Sequence, residues 1–199
     1  VFAPLFFSGN IANPLLFYKS VFAFIVFSVT ASAIYIINDY FDIESDKKHP
    51  EKKNRPLASG AISKTSAKVL FGFLVALSIG LIFLGSYIFE TNYWKFGIII
   101  ATYFVMNIFY TFKLKHVAIV DICIIASGFV LRILAGGYAA DIQTTQWAIL
   151  LTFVLALVLA IGKRRGELIN AQISGKTRKS LDGYNVQFAD IALSISVTL

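Results

Sequence analysis

The stretch NDYFDIESD, residues 38–46, places aspartates at intervals of three and four residues. In a helix turning ~100° per residue, Asp39, Asp42 and Asp46 fall within roughly 60° of arc and share one face. Three carboxylates gathered at the end of an apolar segment repel one another and are costly to desolvate. A hard divalent cation removes that cost, and Mg2+ prefers oxygen ligands and shares its shell with substrate phosphates. The pattern therefore suits a diphosphate held through a metal ion. By spacing alone, the same residues could be the solvated end of a helix. The segment KNRPLASG, residues 53–60, shifts that balance. Arg55 can meet phosphate oxygens with two parallel hydrogen bonds. Pro56 and Gly60 restrict the loop to a fixed turn.

The elements that must position these residues are apolar. The 199-residue chain is 57% hydrophobic and 15% charged, with a mean hydropathy of +0.74. Those values point to a membrane protein rather than a soluble globule. Uncharged runs at 20–38, 69–89, 96–112 and 142–162 can each cross a hydrocarbon core of ~30 Å as helices. The run 117–137 is also long enough, although it contains Asp121 and Arg132. Residues 1–7 read as the tail of a further helix, broken by Ser8, Gly9, Asn10 and Pro14. Another apolar run begins at Ile191. The expected fold is an all-α, polytopic transmembrane helical bundle forming one catalytic domain over 1–199. Because the chain starts without Met and stops inside an apolar stretch, we expect it to be part of a longer bundle.

Charge sets an orientation. Of the 18 Lys and Arg residues, only Lys19, Lys95 and Arg132 lie neither in nor beside three connections on one side of the membrane. Positive-inside bias assigns those connections, about 43–63, 112–116 and 170–185, to the cytoplasm. The formal charge of +7 is accounted for by these loops and calls for no nucleic acid. The first and third connections exceed the usual length between helices, which hints at function. A single cysteine, Cys123, excludes an intrachain disulfide.

Asn38-Asp39-x-x-Asp42-x-x-x-Asp46, followed by Arg55-Pro56-Leu57 and Gly60, resembles the first aspartate motif of the UbiA superfamily of intramembrane prenyltransferases. Most members carry a second aspartate-rich motif after a later helix. The matching place here reads Lys163-Arg164-Arg165-Gly166-Glu167 instead. In that respect the chain is similar to the branch of decaprenyl-phosphate phosphoribosyltransferases. VFAPLFF at the start is similar too. So are Tyr110, Leu114, Lys115, Asp121, Arg132, Gly136 and Gly137 in the middle, and GKRRGEL followed by RKSLDGY.

The resemblance implies Mg2+-dependent transfer of a 5-phosphoribosyl group from phosphoribosyl diphosphate (PRPP) to a polyprenyl phosphate, within a membrane and at its inner face. It implies that Asp39, Asp42 and Asp46 are catalytic and hold the metal. Asn38 would orient the first carboxylate or bond a donor oxygen. Arg55, Lys115, Lys163 and Arg164 would receive phosphates. Tyr110 would bond a phosphate or ribose oxygen, and Glu167 a ribose hydroxyl or a second metal. A lipid phosphate is already nucleophilic near neutral pH, so the difficult step is departure of diphosphate, which positive charge assists.

Two other functions stay open. Prenyl transfer from a polyprenyl diphosphate to an aromatic ring would reuse the same aspartates, but calls for a second acidic cluster, for which the chain offers Glu167 and Asp182. A transporter or channel would call for charges near mid-membrane or broken helices in matching halves. Among the remaining residues, Asp121 is expected to cap or pair near the interface, and Arg132 to snorkel outward. His49 and His116 are expected to be structural or solvated. Tyr87, Tyr93, Trp94 and Trp147 are expected to anchor span ends. Gly72, Gly80 and Gly85 are expected to permit close helix packing.

Overall fold

The computed structural model describes residues 1–89, 93–174 and 183–198. Every regular element among them is helical: α1 (Ala3–Phe7), α2 (Pro14–Lys47), α3 (Lys64–Phe89), α4 (Tyr93–Phe112), α5 (Val120–Ala140), α6 (Gln146–Ser174) and α7 (Val186–Thr198). Five of these, α2 to α6, are long and apolar enough to cross a membrane. This is the all-α, polytopic bundle that the apolar runs predict, with short elements before and after the five.

Helix α2 is the axis of the molecule. Asn13 starts it, its side-chain oxygen accepting hydrogen bonds from the N–H groups of Leu15 and Leu16, with Pro14 at the first helical position. Its 34 residues span ~51 Å, well beyond a ~30 Å hydrocarbon core. The acidic stretch therefore lies on the same continuous helix as the apolar one. It packs against α3, α4 and α5, while α5 also packs on α6 and α6 on α7. The core joins Val26, Phe27 and Ile34 of α2 to Tyr93, Phe96 and Tyr103 of α4 and Ala135 and Ala139 of α5. A buried hydrogen bond of 2.6 Å between the Thr30 and Ser78 hydroxyls ties α2 to α3.

The first connection begins at Lys48, not at Ile43, because Ile43 and Asp46 are buried and keep α2 helical to Lys47. The turn after α4 runs to Ile119 and includes a 3-10 turn at Leu114–His116. The third connection starts later than 170, since α6 continues to Ser174. Residues 175–182 of it, with Lys176, Arg178, Lys179 and Asp182, lie outside the described residues. So does most of the RKSLDGY segment.

Tyr93 is not an interfacial anchor. It is buried against Phe22, Phe89 and Phe96, whereas Tyr87, Trp94 and Trp147 are exposed as expected. Of the three glycines expected to allow close packing, Gly85 does so. A Cβ there would lie 2.7 Å from the Phe22 ring and 2.9 Å from the Tyr93 ring, while Gly72 and Gly80 face open space. Arg132 does not snorkel. Its guanidinium lies over the rings of Phe27, Tyr103 and Phe129, and its buried Nε has no partner among the described residues.

Candidate active site at one end of the bundle

Two polar clusters meet where α2, α4, α5 and α6 end or begin on one side of the bundle. The first is built on α2. One guanidinium nitrogen, Arg55 Nη1, donates to Asp39 Oδ1 at 2.7 Å and to Asp46 Oδ2 at 3.0 Å. Lys115, from the turn after α4, donates to Asp42 Oδ1. Asp46 is 3% exposed, so its charge is held in a poorly hydrated place and needs this partner. Asn38 accepts a hydrogen bond from Thr111 Oγ1 at 3.4 Å, linking α2 to the end of α4. Lys68 lies over the ring of Tyr40.

The loop that delivers Arg55 is folded locally. His49 Nδ1 accepts hydrogen bonds from the N–H groups of Glu51 and Lys52, opening a 3-10 turn at Lys52–Asn54. Arg55 follows at its end, and the Ser59 N–H donates back to the Arg55 carbonyl at 2.8 Å. Gly60 has φ +83°, a conformation costly for residues with a Cβ. His49 is thus structural, as expected, and Pro56 and Gly60 do shape a turn.

The second cluster centres on Asp121, 1% exposed in the first turn of α5. Arg164 of α6 grips Asp121 Oδ2 through Nε at 2.9 Å and Nη2 at 2.8 Å. Its Nη1 donates to Glu167 Oε2 at 2.8 Å. The Tyr184 hydroxyl donates to Asp121 Oδ1 and accepts the Ile119 N–H at 2.6 Å. Burial, and then the hydrogen bond to Asp121, push the Tyr184 phenol above its ordinary range, so it remains a donor near neutral pH. Ile119 has φ +70°, a strained state for a β-branched residue that costs ~1–3 kcal/mol. Tyr110 lies between the clusters, within range of the charges of Asp42, Asp121, Arg164 and Glu167.

The structure thus brings together Asn38, Asp39, Asp42, Asp46, Arg55, Tyr110, Lys115, Arg164 and Glu167. Lys163 is exposed and joins neither cluster through any ion pair among the described residues. Arg164 differs from the role expected of it. Three of its five N–H groups are committed to Asp121 and Glu167, so it is less free to receive phosphate than Arg55 or Lys115. Tyr184 was not singled out by the sequence, because only the fold brings it to Asp121 and Ile119.

The aspartate trio offers the oxygen ligands that Mg2+ prefers. Among the described residues, no three carboxylate, imidazole or thiol groups converge on one point. Asp39 and Asp46 nevertheless converge on a single cationic nitrogen, and Asp42 takes a second cation. The donors are hard oxygens that already gather positive charge, which fits the ion.

An all-helical bundle with five helices long and apolar enough to cross a membrane, and a carboxylate–cation face at one end, defines a polytopic integral membrane protein. A sequence model of the UbiA prenyltransferase family matches residues 1–164, and the chain belongs to that family. Over 180 residues it is 41% identical to a decaprenyl-phosphate phosphoribosyltransferase of Mycolicibacterium smegmatis, covering 88% of this chain and 54% of that protein. It is 38% identical over 177 residues to a decaprenyl-phosphate phosphoribosyltransferase of Corynebacterium glutamicum, covering 88% and 52%. The chain therefore spans about half the length of these curated relatives. Its fold is similar to that of a UbiA homolog from Archaeoglobus fulgidus bound to DMAPP and Mg2+. The TM-score is 0.72 at 19% identity, covering 90% of this chain and 62% of that one.

Proposed function

We propose that this protein transfers the 5-phosphoribosyl group of PRPP to a polyprenyl phosphate of decaprenyl type, at the cytoplasmic face of a membrane and with Mg2+. The convergence of both polar clusters on one end of an apolar bundle carries this reading. A polyanionic, water-soluble donor and a lipid acceptor with an anionic head must meet where hydrocarbon ends, and the cations of this chain collect there. The phosphoribosyltransferase relatives support the choice of donor and acceptor.

In this reading a lipid phosphate oxygen attacks ribose C1 as the C1–O bond to diphosphate breaks, and diphosphate leaves with the bonding pair. Mg2+, held by Asp39, Asp42 and Asp46, would supply neutralisation of the leaving group. Arg55 and Lys115 bring mobile positive charge to phosphate oxygens. Asn38 fixes the start of the acidic face by bonding Thr111. Tyr110 donates its hydroxyl to a phosphate or ribose oxygen, and Glu167 accepts from a ribose hydroxyl. Lys163 meets the lipid headgroup from its exposed position. No strong base is needed, since the acceptor is already ionised near neutral pH.

The archaeal neighbour binds DMAPP, a prenyl diphosphate, and so favours a second reading in which the same aspartates serve prenyl transfer from such a donor, here to an aromatic acceptor. One assay separates them. The full-length protein in detergent is given labelled PRPP and polyprenyl phosphate, with and without Mg2+, and in parallel polyprenyl diphosphate with hydroxybenzoate. Label in the lipid fraction only with PRPP and Mg2+ is the expected result. Product only in the parallel reaction overturns it.

A further inference from the structure

We infer that Asp121 and Tyr184 are positioning residues of this site, holding the turn that carries Lys115 and the Arg164 guanidinium in one register. The inference deepens the reading above, and it rests on Lys115 serving anionic substrate groups.

Asp121 cannot itself meet a substrate. It is 1% exposed, and both carboxylate oxygens are used, one by Tyr184 and the other by two nitrogens of Arg164. Its effect must pass through the groups it holds. A phenol has one hydrogen to give, and Tyr184 gives it to Asp121. The phenol oxygen then accepts the N–H of Ile119, the residue just before α5. One oxygen atom thus joins the turn after α4, the start of α5 and the approach to α7.

A second observation places the same contact. Gly183 has φ +91°, and a Cβ there would sit 3.0 Å from the Ala118 Cβ. The chain before α7 therefore lies directly on the 113–119 turn, in a conformation suited to glycine. The Tyr184 ring is fixed by packing with Ile122, Ala160, Ile161 and Ala189. At the other end of the turn, Lys115 reaches Asp42. Ile119 and Lys115 belong to one short segment, so fixing its amide fixes the origin of the lysine. Arg164, gripped along one edge by Asp121, presents its remaining edge to Glu167.

Removing only the hydroxyl isolates this role, because Tyr184→Phe keeps the packed ring. The probe is inorganic pyrophosphate with Mg2+, titrated calorimetrically into the full-length protein. Tyr184→Phe should weaken its binding about fivefold or more with helix content retained and the thermal midpoint lowered only modestly, since the Ile119 N–H and one Asp121 oxygen lose a partner. Hydrogen exchange across 113–119 should accelerate. The KM for PRPP should rise in proportion, with kcat changed less. Asp121→Asn should act in the same direction. Asp190→Asn, which breaks only the exposed pair with Arg165 between α6 and α7, should leave binding unchanged.

Binding by Tyr184→Phe within about twofold of the unaltered protein overturns the inference. So does an equal loss in Asp190→Asn, a loss seen only alongside lost helix content, or an unaltered protein that binds no pyrophosphate. Failure of the unaltered protein to turn over PRPP, with pyrophosphate binding intact, removes the functional reading alone. The pyrophosphate and exchange measurements then still decide the positioning role.

Discussion

A guanidinium set between two carboxylates occurs twice at this end of the bundle, and the two differ in what they leave available. Arg55 is 36% exposed and bridges Asp39 and Asp46. Arg164 is 12% exposed and bridges Asp121 and Glu167. The first can exchange its partners at the water boundary, whereas the second is built in. If the α2 carboxylates act through a metal, removing one charge removes function without unfolding the helix. Asp39→Asn and Asp42→Asn should each abolish transfer while circular dichroism and the thermal midpoint stay near those of the unaltered protein. Substantial turnover by either purified variant would refute the metal role. Arg55→Gln should behave differently, because it strands the buried Asp46 carboxylate. It should cost ~1–3 kcal/mol of stability as well as activity, and Arg55→Lys should recover part of the stability in a denaturation series.

At the scale of elements, α2 explains why the site could be read in part from sequence. Its aspartates share a face because a helix periodicity acts on neighbours, and the apolar run before them marks the boundary. The apolar runs at 69–89 and 96–112 likewise announce α3 and α4. What the sequence hid is tertiary. Asp121, Arg164 and Tyr184 lie on separate elements, and no local spacing predicts that they touch. Arg132 and Tyr93 were misplaced for the same reason: composition cannot tell a lipid-facing ring or charge from one turned into the bundle. Gly85 shows how sharply tertiary contact separates like residues. Gly85→Ala would push a methyl into the half-buried Phe22 ring and the buried Tyr93 ring and should cost ~1–3 kcal/mol. Gly80→Ala meets open space and should be neutral or stabilising, since alanine favours helix by about 1 kcal/mol. Thermal midpoints of the two variants in one detergent check the contrast.

At the scale of the whole molecule, the clusters have meaning only if they lie on the side where a water-soluble phosphorylated donor is made. The contacts of Arg55, Lys115 and Arg164 gather the ends of α2, α4 and α6 on one side, and the basic residues 47–68, 113–115 and 163–165 fall there. Lys and Arg near span ends are retained on the cytoplasmic side during insertion, so that end should face the cytoplasm. Cys123 is the one cysteine of these 199 residues, and a full-length background in which it and any cysteine beyond them are replaced by alanine permits single-cysteine labelling. A cysteine at Ser59, in the Arg55 loop, should react with a membrane-impermeant maleimide only after the membrane is opened. A cysteine at Tyr87, exposed near the opposite end of α3, should react in intact cells. The reverse pattern would place the carboxylates outside, where cytoplasmic PRPP cannot reach them, and would remove the proposed donor whatever the metal chemistry.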